Sequence, residues 1–164
     1  MAQQGGTVVA QTHKYLTFKL GPETYGLDIL RVQEIIGMIP VTRVPKTPAF
    51  VRGVVNLRGR VIPVVDLRIK FETGEADDTE LTCIVVVQLA GQSTVMGVVV
   101  DEVSEVLDIS VDQIEDTPDF GAGVQTEFVR GIANVDGKVI MLLDIVRVLS
   151  GEELSVVERL ASEA

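Results

Sequence analysis

The chain has 164 residues, of which 46% are hydrophobic, and a net charge of −10 at pH 7. This length allows one compact domain or two small ones. The negative charge makes nucleic acid a poor partner, because a polyanion repels phosphate, and no apolar run reaches the roughly 18 residues of a membrane span.

The start of the chain predicts a flexible tail. Residues 1–13 are mostly small and polar, and they lack the basic and then apolar pattern of a signal peptide. We therefore expect a soluble, cytoplasmic protein. The single histidine, His13, lies in this tail with no nucleophile pattern beside it, so we expect it to be inert.

Short strands separated by turns follow the tail. Residues 16–20 alternate between apolar and polar, which predicts a strand with one buried face. Residues 25–39 fit a strand or a helix, but their first part matches a clear strand pattern at 95–100 and is interpreted as strand. Residues 53–65 predict two strands joined by a tight turn at Arg58-Gly59.

The second half repeats this pattern after an acidic linker, predicted over residues 72–81. Cys83 then opens an apolar strand, in which we expect it to be buried rather than reactive. Ser110 and Gln113 form a capping-box pattern, which predicts a short helix near 111–115. A loop is predicted over 116–126, and an apolar stripe predicts a C-terminal helix over 150–164.

The chain contains an internal duplication. Residues 50–71 recur as residues 128–149 at a constant offset of 78, and the full copies cover about 14–71 and 82–149. The repeat predicts an all-β fold with short helices, built as two tandem β-barrels of about five strands each. Because 60–70 residues is marginal for an independent core, we expect the copies to share a core or to exchange strands.

Charge is distributed unevenly between the copies. Residues 31–70 contain eight basic and two acidic residues, whereas residues 71–129 contain fourteen acidic residues and no lysine or arginine. This pattern fits ordinary solvated surface. It also fits two faces with different partners, or head-to-tail assembly of similar folds.

Catalytic motifs are scarce in this sequence. No GxSxG, P-loop, HExxH or CxxC pattern occurs. Asp66 and Asp144 are related by the repeat, and a duplicated β fold can bring two such carboxylates together as a proteolytic dyad. Neither is followed by Thr-Gly, however, so a structural aspartate that caps a turn is the favoured interpretation. We expect no enzyme activity, no cofactor and no metal.

Glu34 and Arg58 are the other notable charged pair. Glu34 lies in an apolar segment and Arg58 at a predicted turn tip, whereas the second copy has Glu105 and Asp136 at these places. Both side chains could be solvated, or they could form a salt bridge that steers one loop. Either role is specific to the first copy.

Two segments carry a family resemblance, residues 25–35 (YGLDILRVQEI) and 47–68 (TPAFVRGVVNLRGRVIPVVDLR). Over about residues 14–150 the chain closely resembles the CheW family of bacterial chemotaxis coupling proteins. The resemblance implies two SH3-like five-stranded barrels and an adaptor without catalytic activity. Such an adaptor bridges the cytoplasmic tips of membrane chemoreceptor arrays to the regulatory domain of the histidine kinase CheA, which has the same fold, and other CheW-like domains are further possible partners.

The resemblance also implies binding residues. Glu34 and Arg58 match a pair that couples receptor and kinase. A groove that takes a receptor helix is implied at Val32, Glu34, Val98 and Val103. Phe120 matches an array contact, although Glu115 stands near it where relatives can carry a basic residue.

Overall fold

A computed structural model describes residues 12–72, 77–89, 94–115, 128–149 and 151–162. The strands in chain order are β1 (Thr12–Leu20), β2 (Glu23–Asp28), β3 (Val32–Gly37), β4 (Val51–Leu57), β5 (Arg60–Asp66), β6 (Cys83–Gln88), β7 (Val95–Val100), β8 (Glu102–Ser110), β9 (Ile114–Glu115), β10 (Val129–Val135) and β11 (Lys138–Leu143). The helices are α1 (Leu67–Lys70), α2 (Gly151–Ser162) and two 3-10 turns, Ile29–Arg31 and Val111–Gln113.

The strands form two sheets, and each sheet takes strands from both copies of the repeat. One sheet has the order β3-β6-β7-β5-β4 and the other β8-β1-β2-β11-β10-β9. Parallel pairing of β5 with β7 and of β11 with β2 joins the copies within each sheet. Strand exchange, one of the two arrangements expected from the sequence, is therefore present, and the copies 14–71 and 82–149 are units of sequence rather than single barrels.

The fold agrees with the predicted pair of SH3-like barrels. Each sheet encloses an apolar interior, which contains Val64 and Ile84 in the first barrel and Ile109 and Ile140 in the second. A larger apolar cluster, here called the shared core, contains side chains from both sheets, including the fully buried Val98. Burying an aliphatic side chain contributes about 1.5–3 kcal/mol, so a core common to both barrels offsets the small size of each copy.

The hairpin turn predicted at Arg58-Gly59 is confirmed, and its equivalent in the repeat, Asp136-Gly137, has the same geometry. Arg58 and Gly59 have φ of 53° and 84°, and Asp136 and Gly137 have φ of 51° and 84°. Positive φ at both central residues is the turn geometry that matches the twist of paired strands. Arg58 therefore lies at the exposed tip of the β4–β5 hairpin.

Two element boundaries differ from the predictions. The predicted boundary of the tail at residue 13 is wrong, because Thr12 and His13 belong to β1 and His13 lies opposite Ile109 of β8. The capping box at Ser110 is confirmed, but the helix that follows is a single 3-10 turn since Ile114 and Glu115 pair with β10. The loop predicted over 116–126 lies outside the described residues.

The C-terminal helix is present as α2 and is anchored by both packing and charge. Val157 is fully buried in the shared core. The Lys70 ammonium lies 2.7 and 2.8 Å from the two carboxylate oxygens of Glu153 and 4.7 Å from the ring centroid of Phe50. These contacts hold α2 against α1.

Candidate functional site

Glu34 and Arg58 form an ion pair across the seam of the first barrel. Glu34 lies on β3 and Arg58 follows β4, which are the two edge strands of the five-stranded sheet. Barrel closure brings these edges together, and the Arg58 guanidinium donates a hydrogen bond to the Glu34 carboxylate. This bond raises the pKa of Arg58. Of the two interpretations left open by the sequence, the salt bridge is the one present.

A shallow depression lies beside this pair. It has a volume of about 250 Å³, and its lining residues are Gln33, Glu34, Leu57, Arg58, Arg60, Ile62 and Val86. The Arg58 side chain is 70% exposed and that of Glu34 is 29% exposed. An apolar floor with a charged rim can hold one side chain of a partner and orient it by hydrogen bonds.

The three valines predicted to form a groove belong to one apolar cluster. Val32 at the start of β3 and Val103 in β8 are partly buried and pack against the shared core. Val98 in β7 is fully buried within that core. Val32 and Val103 can therefore meet a partner directly, whereas Val98 can act by supporting them.

The predicted array contact cannot be placed in the same way, because Phe120 lies outside the described residues. Glu115, the residue near it that departs from the family pattern, is exposed on β9.

Asp66 and Asp144 cap turns at the ends of β5 and β11, in different sheets. Asp66 Oδ1 accepts a hydrogen bond from the backbone N–H of Arg68 at 3.0 Å. Asp144 Oδ1 accepts one from the backbone N–H of Val146 at 3.1 Å. The structural interpretation of the two aspartates is confirmed, since each carboxylate satisfies an N–H group two residues further along.

Sequence reasoning missed a buried ionic network around Arg68, here called the Arg68 network. Arg68 and Asp66 are both fully buried and are joined by two hydrogen bonds of 3.0 and 2.9 Å. Arg68 also contacts Asp78 at 2.8 Å and Asp101 at 3.2 Å, while Arg52 contacts Asp66 at 3.0 Å and Asp78 at 2.8 Å. The repeat contained one sign of this network. The first copy has Arg68 at the position where the second copy has Val146, so this arginine is specific to the first copy.

The Arg68 network also contacts Asp77 and Asp78 of the acidic linker. Arg68 donates a further hydrogen bond to the backbone carbonyl of Asp77 at 2.9 Å. Hydrogen bonds from Arg52 and then from Arg68 lower the pKa of Asp78 to about 2, against the opposing effect of burial. The pKa of Arg68 is raised, because these carboxylates outweigh the desolvation that opposes its charge.

This geometry predicts a loss of stability in acid. A carboxyl whose pKa is lowered by folding stabilises the protein above its unfolded value, and this stabilisation is lost as the pH falls through its folded value. We therefore expect the melting temperature to fall between about pH 4 and pH 2 and to fall less steeply in Asp78→Asn. Thermal unfolding of both proteins from pH 5 to pH 2 checks this, and identical slopes would contradict it.

A metal site, a reactive thiol and a membrane span would each need particular features within the described ranges. No group of three or more His, Cys, Asp or Glu side chains there is placed to hold a metal ion. Burial raises the pKa of the half-buried Cys83 thiol, which disfavours the reactive thiolate. In the same part of the chain, no helix is both long and apolar enough to cross a membrane.

Known proteins are similar to this chain over most of its length. Residues 14–153 match the family model described as a CheW-like domain. The chain is 41% identical to a chemotaxis protein CheW of Klebsiella aerogenes over 161 residues, covering 98% of this chain and 95% of that one. It is 36% identical to the chemotaxis protein CheW of Rhizobium meliloti over 138 residues, covering 84% and 88%.

A solved structure is also similar. The crystal structure of the scaffolding protein TtCheW from Thermoanaerobacter tengcongensis matches with a TM-score of 0.79 and 36% identity. The match covers 87% of this chain and 96% of that chain. The likeness therefore extends over both barrels.

Proposed function

This chain belongs to the CheW family of chemotaxis scaffold proteins, and we propose that it is a non-catalytic adaptor that couples chemoreceptors to the histidine kinase CheA. The observation that carries the proposal is the Glu34–Arg58 pair. It combines residues that the family resemblance assigns to coupling with an exposed position beside a depression. A partner can reach this pair without unfolding either barrel.

Two kinds of contact fit the two proposed partners. A receptor helix would lay an apolar stripe along Val32 and Val103, with Val98 supporting them from the shared core. The regulatory domain of the kinase, a similar barrel, would meet the charged face at Glu34 and Arg58. Charged rim residues set the orientation and rate of such docking more than its total affinity.

This role places the protein at the cytoplasmic tips of membrane receptors in a signalling array. The uneven charge of the chain favours contacts between surfaces of unlike charge, including those of other CheW-like domains. Phe120 remains our proposed array contact.

A second role as an enzyme has less support. A carboxylate dyad needs two carboxyl groups close enough to share a proton. Here Asp66 is fully buried and held by Arg68 and Arg52, and Asp144 caps a separate turn. These contacts account for both aspartates structurally.

The adaptor proposal is tested by binding. The intact protein would be incubated with a receptor cytoplasmic hairpin and with the kinase regulatory domain, separately and together. We expect it to bind each bait and to bring both into one complex without modifying either. A protein that is folded by circular dichroism but captures neither bait would overturn the proposal.

Reversing the charge of Arg58 is the sharpest single change at this site. Arg58→Glu places a second carboxylate beside Glu34, so we expect kinase binding to weaken about tenfold or more. The urea midpoint of unfolding should stay close to that of the wild type, because exposed ion pairs contribute little to stability. Calorimetric titration with the regulatory domain measures the first effect.

The matched control is Lys138→Glu. Lys138 is exposed in the equivalent hairpin of the second barrel, so this variant makes the same change in net charge at a corresponding turn. Equal weakening in both variants would mean that net charge, rather than Arg58 itself, controls binding.

A further inference from the structure

We propose that a pocket beside the paired strands β2 and β11 is a binding site for an aspartate or glutamate side chain from an acidic segment of a partner protein. The pocket has a volume of about 310 Å³. Its lining residues are Leu27, Asp28, Arg31, Arg130, Leu143, Asp144 and Ile145. The inference stands on the repeat and on this pocket, and it is independent of the proposed adaptor function.

The framework of this pocket, meaning Arg130 and Asp144, has an equivalent in Arg52 and Asp66 of the first copy. The first copy shows what this framework binds. Both terminal nitrogens of Arg52 donate hydrogen bonds to the carboxylate of Asp78, at 3.2 and 2.8 Å. Such two-point contacts are the strong and oriented form of arginine–carboxylate pairing. Asp78 belongs to the acidic linker, so in this copy the framework holds an acidic segment of its own chain.

The second copy preserves the framework. Arg130 and Asp144 correspond to Arg52 and Asp66 at the repeat offset of 78. In β4 and in β10 a register shift leaves the arginine without a residue opposite it on the neighbouring strand. Such bulges re-aim a side chain. The backbone hydrogen bonds are also equivalent in the two copies. Asp66 and Asp144 each donate a hydrogen bond from their N–H to a phenylalanine carbonyl, at 2.7 and 2.8 Å.

The second copy lacks the acidic guest, and it has Val146 in place of Arg68, so Arg130 is the retained arginine. The residue 78 positions beyond Asp78 is Val156, which lies in α2. That helix packs against the shared core and Lys70 instead. Among the residues that the structure describes, Arg31 and Arg130 have no hydrogen-bond or ion-pair partner. The pocket is therefore lined by two guanidinium groups that have no partner among the described residues.

The charges around the pocket favour an anionic guest. Both resident carboxylates are engaged in local turns, Asp28 with the N–H of Leu30 at 2.9 Å and Asp144 with the N–H of Val146 at 3.1 Å. Arg147, which does not line the pocket, forms an ion pair with Asp144 at 3.7 Å. Counting Arg147, three guanidinium groups accompany two carboxylates, and one further carboxylate would balance the charge.

A neighbouring apolar side chain favours a peptide as the source of that carboxylate. Leu30, in the same 3-10 turn as Arg31, is 82% exposed. It can pack against a residue that flanks the guest carboxylate. The volume of the pocket also exceeds what one carboxylate needs, so the adjoining backbone of the guest can enter.

The test uses the intact chain and a peptide with the sequence of residues 77–82, Asp-Asp-Thr-Glu-Leu-Thr. Arginine side-chain NMR signals would be followed during titration. We expect saturable shifts at Arg31 and Arg130 and none at Arg43, an exposed arginine of the other barrel. Arg130→Gln should weaken binding about fivefold or more, whereas Arg43→Gln should leave it unchanged.

A matched peptide with every acidic residue replaced by its amide should give no saturable shift. Binding of the amide peptide, equal shifts at Arg43, or unchanged affinity in Arg130→Gln would each overturn the proposal. The same holds if the acidic peptide shows no saturable binding.

Discussion

Replacing Arg68 by methionine should lower the free energy of unfolding by about 3–5 kcal/mol, because it leaves a buried carboxylate without its main partner. Arg68 and Asp66 are both inaccessible to solvent, and Arg68 satisfies both oxygens of Asp66. Arg52 alone would then have to neutralise Asp66, and the linker would lose its hydrogen bond to the Asp77 carbonyl.

Urea unfolding of the wild type and of Arg68→Met measures this loss. Arg147→Met is the control, because Arg147 is 69% exposed and its ion pair is long, so we expect a change below about 0.5 kcal/mol. The double variant Asp66→Asn, Arg68→Met should recover part of the loss, since it removes the unpaired charge. A loss below about 1 kcal/mol in Arg68→Met would contradict this account of the Arg68 network.

The contrast between Asp66 and Arg68 shows which features sequence could predict. Asp66 binds an N–H group two residues away, so its role as a turn cap followed from local sequence. Arg68 is hydrogen-bonded to Asp78, which lies in the linker, and to Asp101, which lies in the β7–β8 turn. Contacts of that range depend on how the sheets are assembled, and the sequence left strand exchange as one of two possibilities.

The candidate site was predictable to the same extent. The turn geometry at Arg58-Gly59 is local and was predicted from two residues. The family resemblance identified Glu34 and Arg58, but it did not determine whether they contact each other, because their contact depends on closure of the first barrel. Arg31 and Arg130 are far apart in sequence, and the pairing of β2 with β11 is what brings them to one pocket.

Replacing Gly53 by alanine should cost at least about 2 kcal/mol of stability, from steric overlap and backbone strain together. A Cβ at this position would lie 2.0 Å from the carbonyl oxygen of Thr42, a backbone atom with little freedom to move. Gly53 also has φ of 138°, a backbone conformation that residues other than glycine rarely adopt. Gly37→Ala is the control, because a Cβ there meets nothing within 4 Å.

Gly53→Ala should also weaken binding of the kinase. Thr42 and Val54 exchange two backbone hydrogen bonds of 2.8 and 2.9 Å, which fasten the β3–β4 connection to β4. Because Glu34 lies before this connection and Arg58 after it, separating the two strands should misalign the pair. We therefore expect Gly53→Ala to weaken kinase binding as well as to lower the urea midpoint. Wild-type values for both quantities would contradict the argument.

The equivalent glycine of the second copy should be less sensitive. A Cβ on Gly131 would lie 2.8 Å from the Ile114 side chain and 3.0 Å from the Glu115 carbonyl oxygen. Its nearest obstacle is the end of a side chain, which can move, whereas Thr42 presents backbone. In both copies the glycine lets a short segment approach the bulged strand that carries Arg52 or Arg130, so the duplication has retained the residue for the same steric reason.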